Sequence, residues 1–138
     1  MDKVYIAAMY SRMIDMRIIA TYLSDQGYTV TSRWLKEDPT NDNFTKKEDA
    51  FWRYTAEKDI QDINESDVFL LFTEPPTFPH VRGGRHVETG YALGIGMPVC
   101  IVGPKENIFH YIPEVVQFNS VHEFVATDRE MKRCIMGL

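Results

Sequence analysis

The sequence predicts an α/β fold: a doubly wound, five-stranded parallel sheet flanked by helices, a Rossmann-like or flavodoxin-like three-layer sandwich. Three observations predict it. Short apolar runs that read as strands alternate five times with helical patterns, the order that a parallel sheet with crossover helices requires. Two of those runs, Val4 to Met9 and Val68 to Phe72, are almost continuously apolar, as strands covered on both faces are. The chain has 138 residues, 44% hydrophobic and 25% charged, which suits one domain over residues 1–138 with a single sizeable core.

Each element has a local reason. After the first strand, Ser11 starts a helix through about Gln26, with Ile14, Ile18, Ile19, Tyr22 and Leu23 as its apolar stripe, and Gly27 stops it. Tyr28 to Trp34 resumes the strand pattern with three β-branched residues. A polar loop follows, and Thr45 with Glu48 fits a capping box for a helix to about Ile63, built on Trp52, Ala56, Ile60 and Ile63. Val68 to Phe72 is the middle strand. A loop with three prolines and a Gly pair then leads to a helix from Arg85 to Leu93. Pro98 to Val102 is the fourth strand, Ile108 to Tyr111 one helical turn and Val115 to Phe118 the fifth strand. Ser120 caps the last helix, with Glu123 three residues on. In such a sheet ligands bind at the carboxyl ends of the strands, which directs attention to the loops at 9–12, 35–45, 73–84 and 103–107.

Charge and composition exclude several classes. A net charge of −5 argues against a nucleic-acid polymer as partner, while leaving room for a pocket that takes one small anion. No run approaches 18 apolar residues, so no membrane span is expected. The opening residues run straight into a strand pattern, unlike a secretory signal. Cys100 and Cys134 read as buried thiols of a reducing compartment, and the cytoplasm is the expected location. There is no phosphate-binding Gly-Lys-Ser or Gly-Lys-Thr loop. Gly94-Ile95-Gly96 follows a helix, the reverse of a dinucleotide fingerprint. His80, His86, His110 and His122 lack ligand spacing, so neither metal nor cofactor is expected.

The unusual stretch is Arg82-Gly83-Gly84-Arg85-His86-Val87-Glu88-Thr89-Gly90-Tyr91-Ala92. The glycines permit a tight turn and close ligand approach, the amides that open the next helix can hold an anion, and Arg82 and Arg85 add positive charge. Glu88 reads either as an ordinary acid favoured by the helix dipole or as a reactive carboxylate near the middle strand. Asp59 and Asp62 read plainly as residues of a solvated helix face. If Asp59 instead converged with Glu88 on one cleft, the two could divide labour as nucleophile and proton donor. Tyr5 reads as a core tyrosine or as a phenol reaching a carboxylate, and Ser11 and Arg12 stand at a strand's carboxyl end where an anion could bind.

These residues together resemble the nucleoside 2-deoxyribosyltransferases and the related 2′-deoxynucleoside 5′-phosphate N-hydrolases. The likeness covers most of the chain. Val4-Tyr5-Ile6-Ala7-Ala8, Asp59 eight residues before Asp67, and Gly84-x-x-x-Glu88-x-Gly90-Tyr91-Ala92 carry it, and the phrase from Gly83 to Pro98 is similar to phage and bacterial members. The resemblance implies that Glu88 is the nucleophile, that Asp59 moves a proton to or from the base, and that Tyr5 hydrogen-bonds Glu88. The residues themselves suggest a substrate-binding wall made of Ser11, Arg12, Arg82, Gly83, Gly84, Arg85 and His86. The resemblance also implies a small deoxynucleoside or deoxynucleotide as partner, and a homodimer or higher homo-oligomer. Arg82 stands where transferases often carry an acid and the phosphate-preferring hydrolases a serine, and His86 stands where a glycine is usual. An arginine-rich wall leans toward a 5′-phosphate. The expected function is cleavage of the N-glycosidic bond by hydrolysis or base exchange. The competing expectation is a nucleotide-derived ligand sensor on the same fold, without turnover.

Overall fold

The computed structural model describes residues 3–39, 47–76 and 82–137. Its strands are β1 (Lys3–Ala7), β2 (Thr29–Val30), β3 (Val68–Phe72), β4 (Val99–Val102) and β5 (Val115–Phe118). All pair in parallel, in the order β2-β1-β3-β4-β5. The helices are α1 (Met13–Asp25), α2 (Asp49–Asn64), α3 (Gly84–Gly94) and α4 (Val121–Ile135). This is the doubly wound architecture that the alternating pattern predicts. Val4 to Ala7 and every residue of β3 are buried, as befits central strands with a helix layer on each side.

The two layers are distinguishable by their contacts. On one face α1 and α4 meet, with the Tyr22 and His122 rings 4.5 Å apart and Arg129 donating to Gln26 beyond the end of α1. On the other face α2 and α3 pack together, tied by Tyr91 Oη donating to Asn64 Oδ1 at 2.6 Å. The chain leaves β1 for the outer β2 and returns to β3 on the opposite side of β1. The carboxyl ends of β1 and β3 therefore flank the point where the winding reverses, where such sheets open a crevice.

Local departures from expectation have identifiable causes. The second strand pairs over Thr29–Val30 only and gives way to a 3₁₀ turn at Arg33–Lys36. Side chains take over the rungs that its backbone would have made. Ser32 Oγ accepts the Ile6 N–H at 2.6 Å, and the Trp34 indole donates to the Ile6 carbonyl at 2.8 Å. Asp62 draws the chain away by accepting both the N–H and Nε–H of Arg33, at 3.0 and 2.8 Å. Trp34 is thus a buried structural residue.

The first helix is preceded by a 3₁₀ turn at Tyr10–Arg12 and buries Met13, Met16 and Leu23, while Ile14 and Ile18 are exposed. Two methionines have taken the core positions expected of isoleucines. α2 starts at Asp49, and Glu48 sits at its N-cap with no side-chain cap bond, whereas Thr45 lies outside the described residues. The last helix starts as expected: Ser120 Oγ accepts the Glu123 N–H at 3.1 Å, and the Glu123 carboxylate accepts the N–H of Asn119. Among the described residues no helix is long and apolar enough to cross a membrane.

Candidate functional site

Three elements bring three side chains to one place. Tyr5 lies in the middle of β1, fully buried, its ring stacked on Phe69 of β3 at 5.5 Å between centroids. That stack follows from register, since Tyr5 and Phe69 are paired neighbours on the two central strands. The Tyr5 hydroxyl donates to Glu88 Oε2 at 2.8 Å. Glu88 stands one turn into α3, whose N-cap, Gly83, adopts a left-handed φ of +88° and so lets the chain turn sharply into the helix. From α2, packed beside α3, Asp59 comes close enough for its charge to act directly on the Glu88 carboxyl. Asp59 Oδ1 is buried and receives no N–H or O–H among the described residues.

Two neighbouring carboxyls screened from solvent cannot both ionise cheaply. Burial first, and then the charge of Asp59, pushes Glu88 up to about 8, against the Tyr5 hydrogen bond that favours its anion. Burial first, and then Glu37, pushes Asp59 up to about 7, while Lys58 pulls it down. Tyr5 itself is held well above its usual range by burial and by the neighbouring Glu88 and Asp59 charges, so it remains a donor. Between about pH 7 and 8 the pair therefore carries one proton and one negative charge, titrating as a unit so that neither value belongs to one carboxyl alone. That is the inventory of a site that needs an anion and an acid together.

Asp62 does not decorate a solvated face. It is 2% exposed and is held by Arg33.

The expected binding wall is only partly assembled. Ser11 is exposed in the 3₁₀ turn at the carboxyl end of β1. Arg12 spans the crevice, donating to Glu74 Oε2 at 2.9 Å and to the Thr73 carbonyl at 3.4 Å, both just past β3. Arg82 is exposed ahead of α3, and Gly83 and Gly84 form the helix entry.

Arg85 differs from expectation. It is buried, and its two Nη atoms grip Glu106 at 2.6 and 2.5 Å, so its guanidinium fork is already occupied by a carboxylate. His86 Nε2 also contacts Glu106, at 3.1 Å, and its Nδ1 meets Asn107 Nδ2 at 3.4 Å. Burial pushes the Glu106 carboxyl up, but the bonds from Arg85 and from the Glu74 N–H outweigh it and hold the group below its ordinary value.

Sequence reasoning missed Glu106, Glu74 and the pair Glu37–Lys58, whose Oε2 and Nζ lie 2.5 Å apart beside Asp59. The loop at 103–107 was marked by its place after β4, but a lone glutamate carries no spacing to single it out. His80 lies outside the described residues, and among those described no group of three His, Cys, Asp or Glu side chains could hold a metal.

No protein-family model and no curated protein matches the chain. Solved structures do. A 2-deoxyribosyltransferase from the psychrotolerant bacterium Bacillus psychrosaccharolyticus superposes with a TM-score of 0.68 at 17% identity, over 89% of this chain and 90% of that one. The CMP N-glycosidase BcmB of Clostridium botulinum superposes with a TM-score of 0.54 at 20% identity, over 91% of this chain and 97% of that one. Over nearly its whole length, the chain has the fold of these two proteins.

Proposed function

We propose that this protein cleaves the N-glycosidic bond of 2′-deoxynucleosides or their 5′-monophosphates through a covalent glycosyl-enzyme intermediate on Glu88. The observation that carries the reading is the Tyr5–Glu88–Asp59 constellation, in which Tyr5 donates to Glu88 and the Asp59 charge acts on the same carboxyl, beside the central pair β1 and β3. The names of the two structural neighbours, a deoxyribosyltransferase and a nucleotide N-glycosidase, support the same reaction type.

In the first step the Glu88 carboxylate attacks C1′ of the sugar. The C1′–N bond breaks, its electron pair leaves with the base, and Asp59 delivers its proton to the base nitrogen. A glycosyl ester on Glu88 results. In the second step water, or the nitrogen of another base, attacks C1′ and gives up its proton to Asp59, and Glu88 departs as the carboxylate. Tyr5 holds Oε2 and so orients the attacking carboxylate. The missing 2′-hydroxyl favours the step, because no electron-withdrawing oxygen opposes the oxocarbenium character at C1′.

Arg12, Arg82, Ser11 and the Gly83–Gly84 amides are the groups that would meet a 5′-phosphate, with His86 beside the helix entry. Arg85 contributes by anchoring that entry to Glu106.

Incubation of the four common deoxynucleosides and their monophosphates with the protein, with and without an acceptor base, tests the reading. Free base without acceptor marks a hydrolase, and a new nucleoside only with acceptor marks a transferase. Base release must vanish in Glu88→Gln while ligand binding persists. Tight binding without any turnover would favour the sensor.

A further inference from the structure

Two arginines near the crevice already carry a carboxylate of this chain, and the two pairs differ in whether a ligand can replace it. Glu106 occupies both Nη atoms of Arg85, whose side chain is 3% exposed, so that pair is sealed. Glu74 holds Arg12 by one bond, from Nη1 to Oε2 at 2.9 Å, and the Arg12 side chain is 32% exposed. Among the described residues the guanidinium makes one other bond, again from Nη1, to the Thr73 carbonyl at 3.4 Å, which leaves Nε and Nη2 open. The backbone of Glu74 is fixed, because its N–H donates to Glu106 Oε1 at 3.0 Å. Its carboxylate can therefore swing away from Arg12 while the chain stays in place.

The exchangeable pair bridges the crevice. Arg12 ends the 3₁₀ turn that follows β1, and Glu74 lies just past β3, the two strands between which the winding reverses. A 5′-phosphate entering there brings about −1.5 to −2 charges, against the single charge of a carboxylate, and its oxygens fit the planar guanidinium fork. It can engage Nε and Nη2 before Nη1 lets go of Glu74, so Arg12 is never without a counter-charge. A deoxynucleoside with a free 5′-hydroxyl offers no anion, and Glu74 then keeps Arg12 compensated. Both forms of the substrate are accommodated, but only the phosphorylated one has to break the internal pair and face the released carboxylate. Opening a partly exposed pair costs roughly 2- to 5-fold in affinity, and a like charge a few Å away costs about as much again.

We propose that Glu74 is a specificity-determining residue: its carboxylate stands in for the 5′-phosphate on Arg12, and the exchange of one for the other sets how strongly the site prefers a monophosphate to the free deoxynucleoside. Its bearing on substrate choice rests on the glycosidic reading of the same crevice, whereas the exchange itself is measurable without turnover.

Calorimetric titration of the full chain with deoxyribose 5-phosphate reads the exchange. Glu74→Gln keeps the shape of the side chain without its charge and should bind this probe ~10-fold tighter than the unsubstituted protein, with circular dichroism showing the fold intact. Arg12→Gln should bind it more weakly, and adding Glu74→Gln to Arg12→Gln should change that affinity by less than ~2-fold, because the carboxylate acts through Arg12. In turnover, the ratio of kcat/KM for a monophosphate to that for its nucleoside should rise ~10-fold in Glu74→Gln, through the KM of the monophosphate. Probe affinity indifferent to Glu74→Gln, or no binding by either protein, would overturn the proposal. So would the same ~10-fold gain in the Arg12→Gln background, the mark of a general loss of negative charge. Tighter binding in Glu74→Gln alongside no base release from any deoxynucleoside or monophosphate would uphold the exchange and count against the glycosidic reading instead.

Discussion

Tyr5 and Glu88, 83 positions apart in sequence, are joined by a 2.8 Å hydrogen bond from the central strand of the sheet to the second turn of α3. The bond ties a rigid donor to a carboxyl that burial would otherwise keep neutral, and so favours the anion that attack on C1′ requires. Tyr5→Phe removes the donor but leaves the stack on Phe69. One hydrogen bond to a charged group is worth about 1.5–3 kcal/mol, so turnover should fall roughly 10- to 150-fold with little loss of stability. Steady-state kinetics alongside a thermal melt checks this, and an unchanged rate would remove Tyr5 from the mechanism.

The pH–rate profile should be bell-shaped and narrow. Below about 7 both carboxyls are protonated and no nucleophile exists; above about 8 both are ionised and no acid remains. The maximum should therefore fall between those values. Asp59→Asn should abolish the alkaline limb for substrates whose base needs a proton to leave. A flat profile from pH 5 to pH 9 (roughly the range in which the protein can be assayed) would contradict the shared-proton arrangement.

Stability should move in the opposite sense to that of an ordinary salt-bridged carboxylate. Both groups have folded-state values raised above the unfolded ones, so the folded chain binds more protons than the unfolded chain. Their contribution is fully present below about pH 4, near the unfolded values, and is lost as pH rises through about 7 and 8. Glu88→Gln should stabilise the protein at pH 9, by on the order of 3 kcal/mol, and hardly at all at pH 4. Urea melts of both proteins at the two pH values measure the difference.

The Arg85–Glu106 pair, with side chains 3% and 9% exposed, should behave as a buried ion pair does when halved. Glu106→Gln leaves a guanidinium without its counter-charge and should cost about 3–5 kcal/mol. Replacing both with apolar residues, as in Arg85→Met with Glu106→Leu, should recover much of that loss. If the single and double variants are equally unstable, the pair is not the anchor of the α3 entry.

How much of this was legible in the sequence depends on how local the cause is. Strand-to-helix alternation and the continuous apolar runs were enough for the architecture, because covering both faces of a parallel sheet demands them. Ser120 with Glu123 marked a helix start correctly because a cap is a contact between residues three apart. The truncation of β2 was not legible. Whether Ser32 and Trp34 side chains or a backbone ladder satisfy Ile6 depends on Asp62, which lies 29 positions beyond Arg33 and looked like a surface residue. The same holds for Arg85. In sequence it stands beside a glycine pair as an anion ligand would, but Glu106 reaches it from the far side of β4 and fills its fork. Tyr5, Glu88 and Asp59 could be picked out as candidates from residue type and a family likeness. Their convergence needs the packing of α2 on α3 and the register of β1 on β3.

The account turns on a bond to Glu88, and intact-protein mass spectrometry can look for it directly. The protein would be mixed with a deoxynucleoside monophosphate, quenched rapidly in acid and digested for peptide mapping, with Glu88→Gln as the parallel sample. The prediction is an added deoxyribosyl phosphate mass on the peptide that contains Glu88, absent from the variant. Base release with no adduct on that peptide, or with the adduct on another residue, would contradict it.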